Sequence, residues 1–125
     1  MNDTQADNPN EPPEVLMVLD AVDVDVVAAF WAEALHYRRV DRLEQYVVLV
    51  PLEGNAGAMM LVQGVTDAKV TKNRMHLDLH VTDPEAEADR LVGLGATQTG
   101  RGALGTIAWI CMQDPEGNEF DIAQR

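Results

Sequence analysis

From residue 74 the chain reads RMHLDLHVTDPEAEADRL, and its first half alternates strictly. Met75, Leu77, Leu79 and Val81 fall on one parity, and Arg74, His76, Asp78 and His80 on the other. Successive side chains of a strand point to opposite faces, so the pattern predicts a strand that packs its apolar set on a helix and turns His76, Asp78 and His80 the other way. A helix should follow, with Asp83 as N-cap, Pro84 in the first helical position, Glu85 and Glu87 near the positive end of the dipole, and Gly95 past its end. Earlier in the chain, EVLMVLDAV reads as a strand apolar on both faces. It leads through Asp23 or Asp25 into a helix with the apolar stripe Val26, Val27, Phe30, Trp31, Ala34 and Leu35. QYVVLVPL and, after the turn EGNAG, AMMLVQGV are further strands. TIAWICM and NEFDIAQ, joined by the turn QDPEG, are the last two. In the final strand Phe120 and Ile122 take the buried face, while Glu119 and Asp121 point away.

The pattern occurs twice. Shifted by 60 residues, LMVLDAVD lies over HLDLHVTD, Asp23 falls on Asp83, and each strand runs directly into a helix. The linking turns PLEGN and DPEGN resemble each other as well. Two copies of strand, helix and further strands predict one α+β domain of two similar halves, which must pair because one half alone buries too little. Residues 1–13, rich in Asn, Asp and Pro, are expected to be a disordered acidic tail. The domain spans 14–125, with module one at about 14–68 and module two at about 74–125.

Charge narrows the partners. With 21 acidic residues against nine basic ones the formal net charge is −12, which repels phosphate backbones and excludes nucleic acid as an expected partner. Solubility explains such an excess first; a cationic small molecule is the functional alternative. The one cysteine, Cys111, sits in the apolar run IAWICM and is expected to be a buried small hydrophobe. The first 13 residues lack the basic start and apolar core of a signal peptide, and no apolar run reaches the length of a membrane span. A soluble, cytoplasmic protein without a membrane partner is the expectation.

DAVDVDVVAAFWAEAL, KNRMHLDLHVTDPEAEADRLVGLGA and the closing WICMQDPEGNEFDI together resemble the vicinal oxygen chelate superfamily, the glyoxalase and bleomycin-resistance fold, and within it the small bacterial glyoxalase-like domains. The resemblance covers essentially all of 14–125. It implies two βαβββ modules whose sheets curl around a shared cleft with the helices outside, a small-molecule ligand and a homodimer. It also implies where a metal would be held, by the first and last strand of each module. On this sequence those positions are Leu16, which has no ligand atom, His76, Asp121 and a residue of AMMLVQGV. In that last strand Leu61 and Gln63 share a face, and only Gln63 can coordinate.

His76, Asp121 and Gln63 are therefore the set that would hold a divalent metal (Zn, Ni, Mn or Fe), with no cofactor certain. The plainer reading of His76 is a polar cleft residue hydrogen-bonded to Asp121. His80 lies about 13 Å along the strand from His76, at ~3.3 Å per residue, too far to share an ion. If the cleft is catalytic, His76 is the general acid or base and Asp121 orients it or acts as a second base. Asp78, His80, Trp109, Glu119 and Gln63 are the expected ligand-contacting residues, with Trp109 offering a ring to a planar ligand. Core packing is expected of Trp31 and of Met59 and Met60, and solvent exposure of Lys72, Asn73 and Arg74. Two classes of function follow: a lyase, isomerase or dioxygenase acting on a small oxygen-rich metabolite, or a non-catalytic protein of the bleomycin-resistance type that sequesters its ligand.

Overall fold

A computed structural model describes residues 9–125. Residues 1–8 of the expected acidic tail lie outside the described part. The elements run β1 (Met17–Ala21), α1 (Val24–Leu35), β2 (Tyr37–Leu43), β3 (Tyr46–Pro51), β4 (Met60–Gly64), β5 (Leu77–Val81), α2 (Pro84–Gly93), β6 (Thr97–Leu104), β7 (Ile107–Gln113) and β8 (Glu119–Gln124). They form two four-stranded sheets of identical topology, β1-β4-β3-β2 and β5-β8-β7-β6. Within each, the first strand runs parallel to the last and the remaining pairs are antiparallel. This is the α+β arrangement of two βαβββ modules.

Both helices start as the aspartates dictate. The Asp23 side chain accepts from the Val26 N–H, and that of Asp83 from the Ala86 N–H, each at 3.2 Å. These bonds satisfy N–H groups that the first helical turn leaves without partners. Each helix covers one face of its own sheet. From module one, Val27, Phe30, Trp31, Val47, Leu49, Met60 and Val62 join Leu91, Ile110, Met112, Phe120 and Ile122 of module two in one continuous core. Fully burying each such side chain stabilises the fold by about 1.5–3 kcal/mol.

The modules are fastened at several places. The rings of Trp31 and Phe120 meet at 5.0 Å, with Phe30 at 5.1 Å from Trp31. Glu116, in the turn before β8, accepts from the backbone N–H groups of Val22 and Asp23 at 2.8 and 2.6 Å. Arg90 of α2 donates to the carbonyls of Glu33 and Ala34, capping the end of α1, while Glu87 holds its other side.

Some expectations need correction. β2 and β6 do not stand out in the hydrophobic pattern, because both are sheet edges with polar sequences, YRRVDRL and TQTGRGAL. Charged or bulged edges are how sheets avoid adding further strands, and each of these carries a register irregularity, at Arg39/Asp41 and Gln98/Gly100. Val26 is 48% exposed, and Val24 and Ala28 fill the helical stripe instead. Met75 is 86% exposed because β5 begins only at Leu77, so the residue never reaches the packed face. β1 is not apolar-buried on both sides, since Val18 is 54% exposed.

Candidate functional site

Each sheet has one face against its helix and one face open. On the second sheet the open face carries His76, just before β5, then Asp78 and His80 on β5, Asp121 on β8, and Trp109 and Cys111 on β7. Strand register brings part of this set together. Asp78 pairs with Asp121 across the parallel β5/β8 ladder, and Asp121 pairs with Cys111 across β7/β8. His76 then reaches both carboxylates: its Nε2 lies 3.0 Å from Asp78 Oδ1 and 3.2 Å from Asp121 Oδ2. One ligand-capable atom from each of the three lies within 4.8 Å of the others. The cluster is open to solvent, with side-chain exposures of 36, 54 and 23% for His76, Asp78 and Asp121.

Cys111 belongs to this face and is not the buried hydrophobe expected of it. Strict alternation with buried Ile110 and Met112 was the available signal; the apolar character of the whole run obscured it. Partial burial first, then the negative charge of Asp121 and a hydrogen bond to it, push the thiol above its usual range. It remains protonated at neutral pH.

Glu119 faces the open side but its oxygens are occupied. Lys69 Nζ lies 3.0 Å from Oε2, and the Asn73 N–H donates to Oε1 at 3.0 Å. Burial pushes the carboxyl up, and the bonds from Asn73 and Lys69 outweigh it, holding the pKa at about 2. Asn73 also donates to Asn118 Oδ1, so it is tied into the fold and half-buried, unlike exposed Lys72 and Arg74. Sequence reading did not anticipate that Lys69 and Asn73 anchor the connector, because the ion pair spans 50 residues.

His80 and Trp109 are brought together elsewhere. They help wall a groove of ≈ 940 Å³ with Gly102, Ile107 and Ala123. The Trp109 indole lies across Gly102, where an added Cβ would meet Cε2 at 2.3 Å. Only glycine at this edge position lets the ring lie flat on the sheet. A second groove, ≈ 580 Å³, is shared by the modules: it runs between β1 and the connector, past the turn holding Glu116 and Asn118, and its wall stops at Met75, one residue short of His76.

The register also fixes what module one offers at the matching place. Met17 pairs with Met60 as Leu77 pairs with Phe120, so Leu16, Val18 and Leu61 stand where module two has His76, Asp78 and Asp121. Gln63 pairs with Asp20 and Tyr46, two residues further along β4.

A family model described as a glyoxalase-like domain matches residues 16–123. The chain belongs to the glyoxalase-like domain family. This places it in the vicinal oxygen chelate superfamily. Solved structures share the fold of this glyoxalase-like domain at low identity. The fosfomycin resistance protein FosX of Listeria monocytogenes superposes with a TM-score of 0.74 at 12% identity, over 92% of this chain and 94% of that one. The bleomycin-binding protein of Streptomyces verticillus, complexed with copper(II)-bleomycin, gives 0.62 at 18%, over 92% and 98%. Lactoylglutathione lyase from Agrobacterium tumefaciens gives 0.62 at 18%, over 91% and 96%. Among curated proteins, a histidinol dehydrogenase of Thiocapsa roseopersicina is 30% identical over 111 residues, 86% of this chain. The chain spans 46% of that relative's length.

The metal arrangement implied for the superfamily draws ligands from both modules. In this glyoxalase-like domain two of those four positions are leucines, Leu16 and Leu61, which carry no lone pair. The residues present do not fit an ion held that way.

Proposed function

We propose that this glyoxalase-like domain binds a small molecule on the open face of the second sheet and that His76 is its proton-transferring group. The observation that carries the reading is the position of His76 Nε2 between the Asp78 and Asp121 carboxylates on a solvent-open face. The two carboxylates hold the ring through Nε2, which leaves Nδ1 to exchange a proton with a bound molecule. Chemistry of this kind suits a lyase or isomerase acting on a small oxygen-rich metabolite; a dioxygenase would require a redox-active metal as well. Trp109 and His80 wall the adjoining groove and supply a flat apolar surface for the rest of the ligand.

Leu16 and Leu61 favour a second reading, a protein that sequesters its ligand without transforming it; a bleomycin-binding protein shares this fold. The net charge of −12 then directs it to cationic ligands. In either reading we propose that the domain works as a cytoplasmic homodimer. Val18, Leu104 and Ile107, 54, 73 and 61% exposed, are apolar side chains for a second copy to cover, which light scattering would read as twice the chain mass. No helix among the described residues is long and apolar enough to cross a membrane.

A thermal-shift screen against carbonyl-rich metabolites and cationic glycopeptides, repeated on His76→Ala, tests the assignment. A compound that stabilises the parent, and is turned over by it but not by His76→Ala, supports proton transfer. Equal affinity in both proteins without turnover supports sequestration. If no compound binds saturably, both readings fail.

A further inference from the structure

We propose that module two seats a flat aromatic or heteroaromatic ring in a pit floored by Ala123, between His80 and Trp109, and that its ligand is a small aryl compound with a carbonyl on a short arm. The inference rests on the reading of this open face as the ligand site and names the class of molecule it takes.

Strand register builds the pit. His80 pairs with Ala123 across β5/β8, Ala123 with Trp109 across β7/β8, and Trp109 with Gly102 across β6/β7. Directly paired residues project to one face, so the four stand in a row across the sheet. Two of them, Gly102 and Ala123, are small. The indole lies over Gly102, where any Cβ would collide with it, and so on the side of Trp109 away from Ala123. That leaves the space above the Ala123 methyl unfilled by the row. His80 is exposed, and its imidazole makes no hydrogen bond or ion pair among the described residues, so it offers a second ring to a guest. With strands about 4.8 Å apart, the backbones carrying His80 and Trp109 are about 9.6 Å apart. A ring packed at about 3.5–4.0 Å from a wall on each side needs roughly 7–8 Å.

Module one supplies the control. Its corresponding row is Asp20, Gln63, Tyr46 and Leu43, paired in the same order. Each row keeps one aromatic residue. Where module two has alanine and glycine, module one has glutamine and leucine, and an aspartate stands in place of the histidine. The small floor and the imidazole wall are therefore particular to module two.

The next row sets the length of the ligand. Asp121 is two residues from Ala123 on β8, about 7 Å along the same face. Its Oδ2 lies 3.2 Å from His76 Nε2. The radius of a ring, two bonds and a hydrogen bond of about 2.8 Å together cover that distance. A carbonyl attached directly to a ring seated over Ala123 thus reaches the His76 imidazole, and a bare ring does not.

The test titrates the full chain with phenacyl alcohol and follows the indole N–H signals of its two tryptophans by NMR. The Trp109 signal should move saturably while that of buried Trp31 stays in place. Hydroxyacetone, which has the oxygens without the ring, and the cyclohexyl analogue, whose ring is puckered, should each bind at least tenfold more weakly. Ala123→Gln writes the residue of module one into the pit and should weaken phenacyl alcohol at least tenfold, while Ala123→Ser keeps the floor small and should bind as the parent does. Gln63 holds the same backbone position in module one, so Ala123→Gln should fold; far-UV dichroism and a urea midpoint matched to the parent check that it does. No saturable shift with phenacyl alcohol, equal affinity for the puckered ring, or full affinity in Ala123→Gln overturns the pit. Turnover measured on the same compounds keeps the two ideas apart. Conversion of hydroxyacetone by the parent with no preference for a ring leaves proton transfer by His76 standing while the pit falls. Ring binding that persists in His76→Ala, with no turnover by the parent, does the reverse.

Discussion

Asp114 is 3% exposed and accepts from the N–H groups of Glu116 and Asn118, from the Asn118 amide, and from the Trp31 indole. A buried carboxylate is tolerated only when its oxygens are so occupied, and its loss leaves several donors without partners. Asp114→Ala should therefore cost about 3 kcal/mol in urea unfolding, since each orphaned buried donor costs about 1–3 kcal/mol. A loss below about 1 kcal/mol would mean that water replaces the carboxylate. The turn itself was legible in QDPEGN. Its reach to Trp31 was not, because nothing local in a sequence signals a bond across 83 residues. The same limit applies to Cys111. Trp109 and Cys111 share a face of β7 that the apolar run IAWICM conceals, and only the pairing of β7 with β8 shows that Asp121 lies opposite the thiol.

At the scale of elements, the stretch between β4 and β5 matters most for the site, since it ends in His76. Lys69 and Asn73 pin it to Glu119 at the start of β8. The Glu119 pKa, about 2 against an ordinary 4.5, gives this tie a pH dependence. A carboxyl whose folded pKa is depressed binds fewer protons in the native state, so its stabilisation is complete above about 4.5 and is lost as pH falls through about 2. The urea midpoint should fall across that window, and Glu119→Gln should be less stable than the parent at pH 7 and flatter below pH 4.5. A parallel acid response in both proteins would contradict the assignment. Helices and inner strands were legible because capping aspartates and apolar periodicity are local signals. β2 and β6 were not, since an edge strand is held by one neighbour and needs no apolar alternation of its own.

For the whole molecule, the two modules depend on each other. Phe120 of module two lies against Trp31 and Phe30, and Asp114 against Trp31, so neither half closes its core alone. A fragment of residues 74–125 should show no cooperative thermal transition by circular dichroism, and mixing it with residues 9–73 should restore one. A sharp transition in the isolated fragment would show that module two closes a core unaided. The duplication that defines this architecture was readable from LMVLDAVD over HLDLHVTD, as was the place of His76. What lay beyond reach was the partner of Asp121 in module one, because the register of β4 against β1 sets it.

That register has a further consequence. Met17 meets Met60 and Leu77 meets Phe120 over the same length of chain, so the backbones of the two halves correspond residue for residue at these strands. Whatever separates them in chemistry is carried by side chains alone. The molecule thus contains its own blank: Leu16, Val18 and Leu61 record the scaffold without the reactive groups, and writing His, Asp and Asp at those three positions would transplant the cluster without redesigning a single strand.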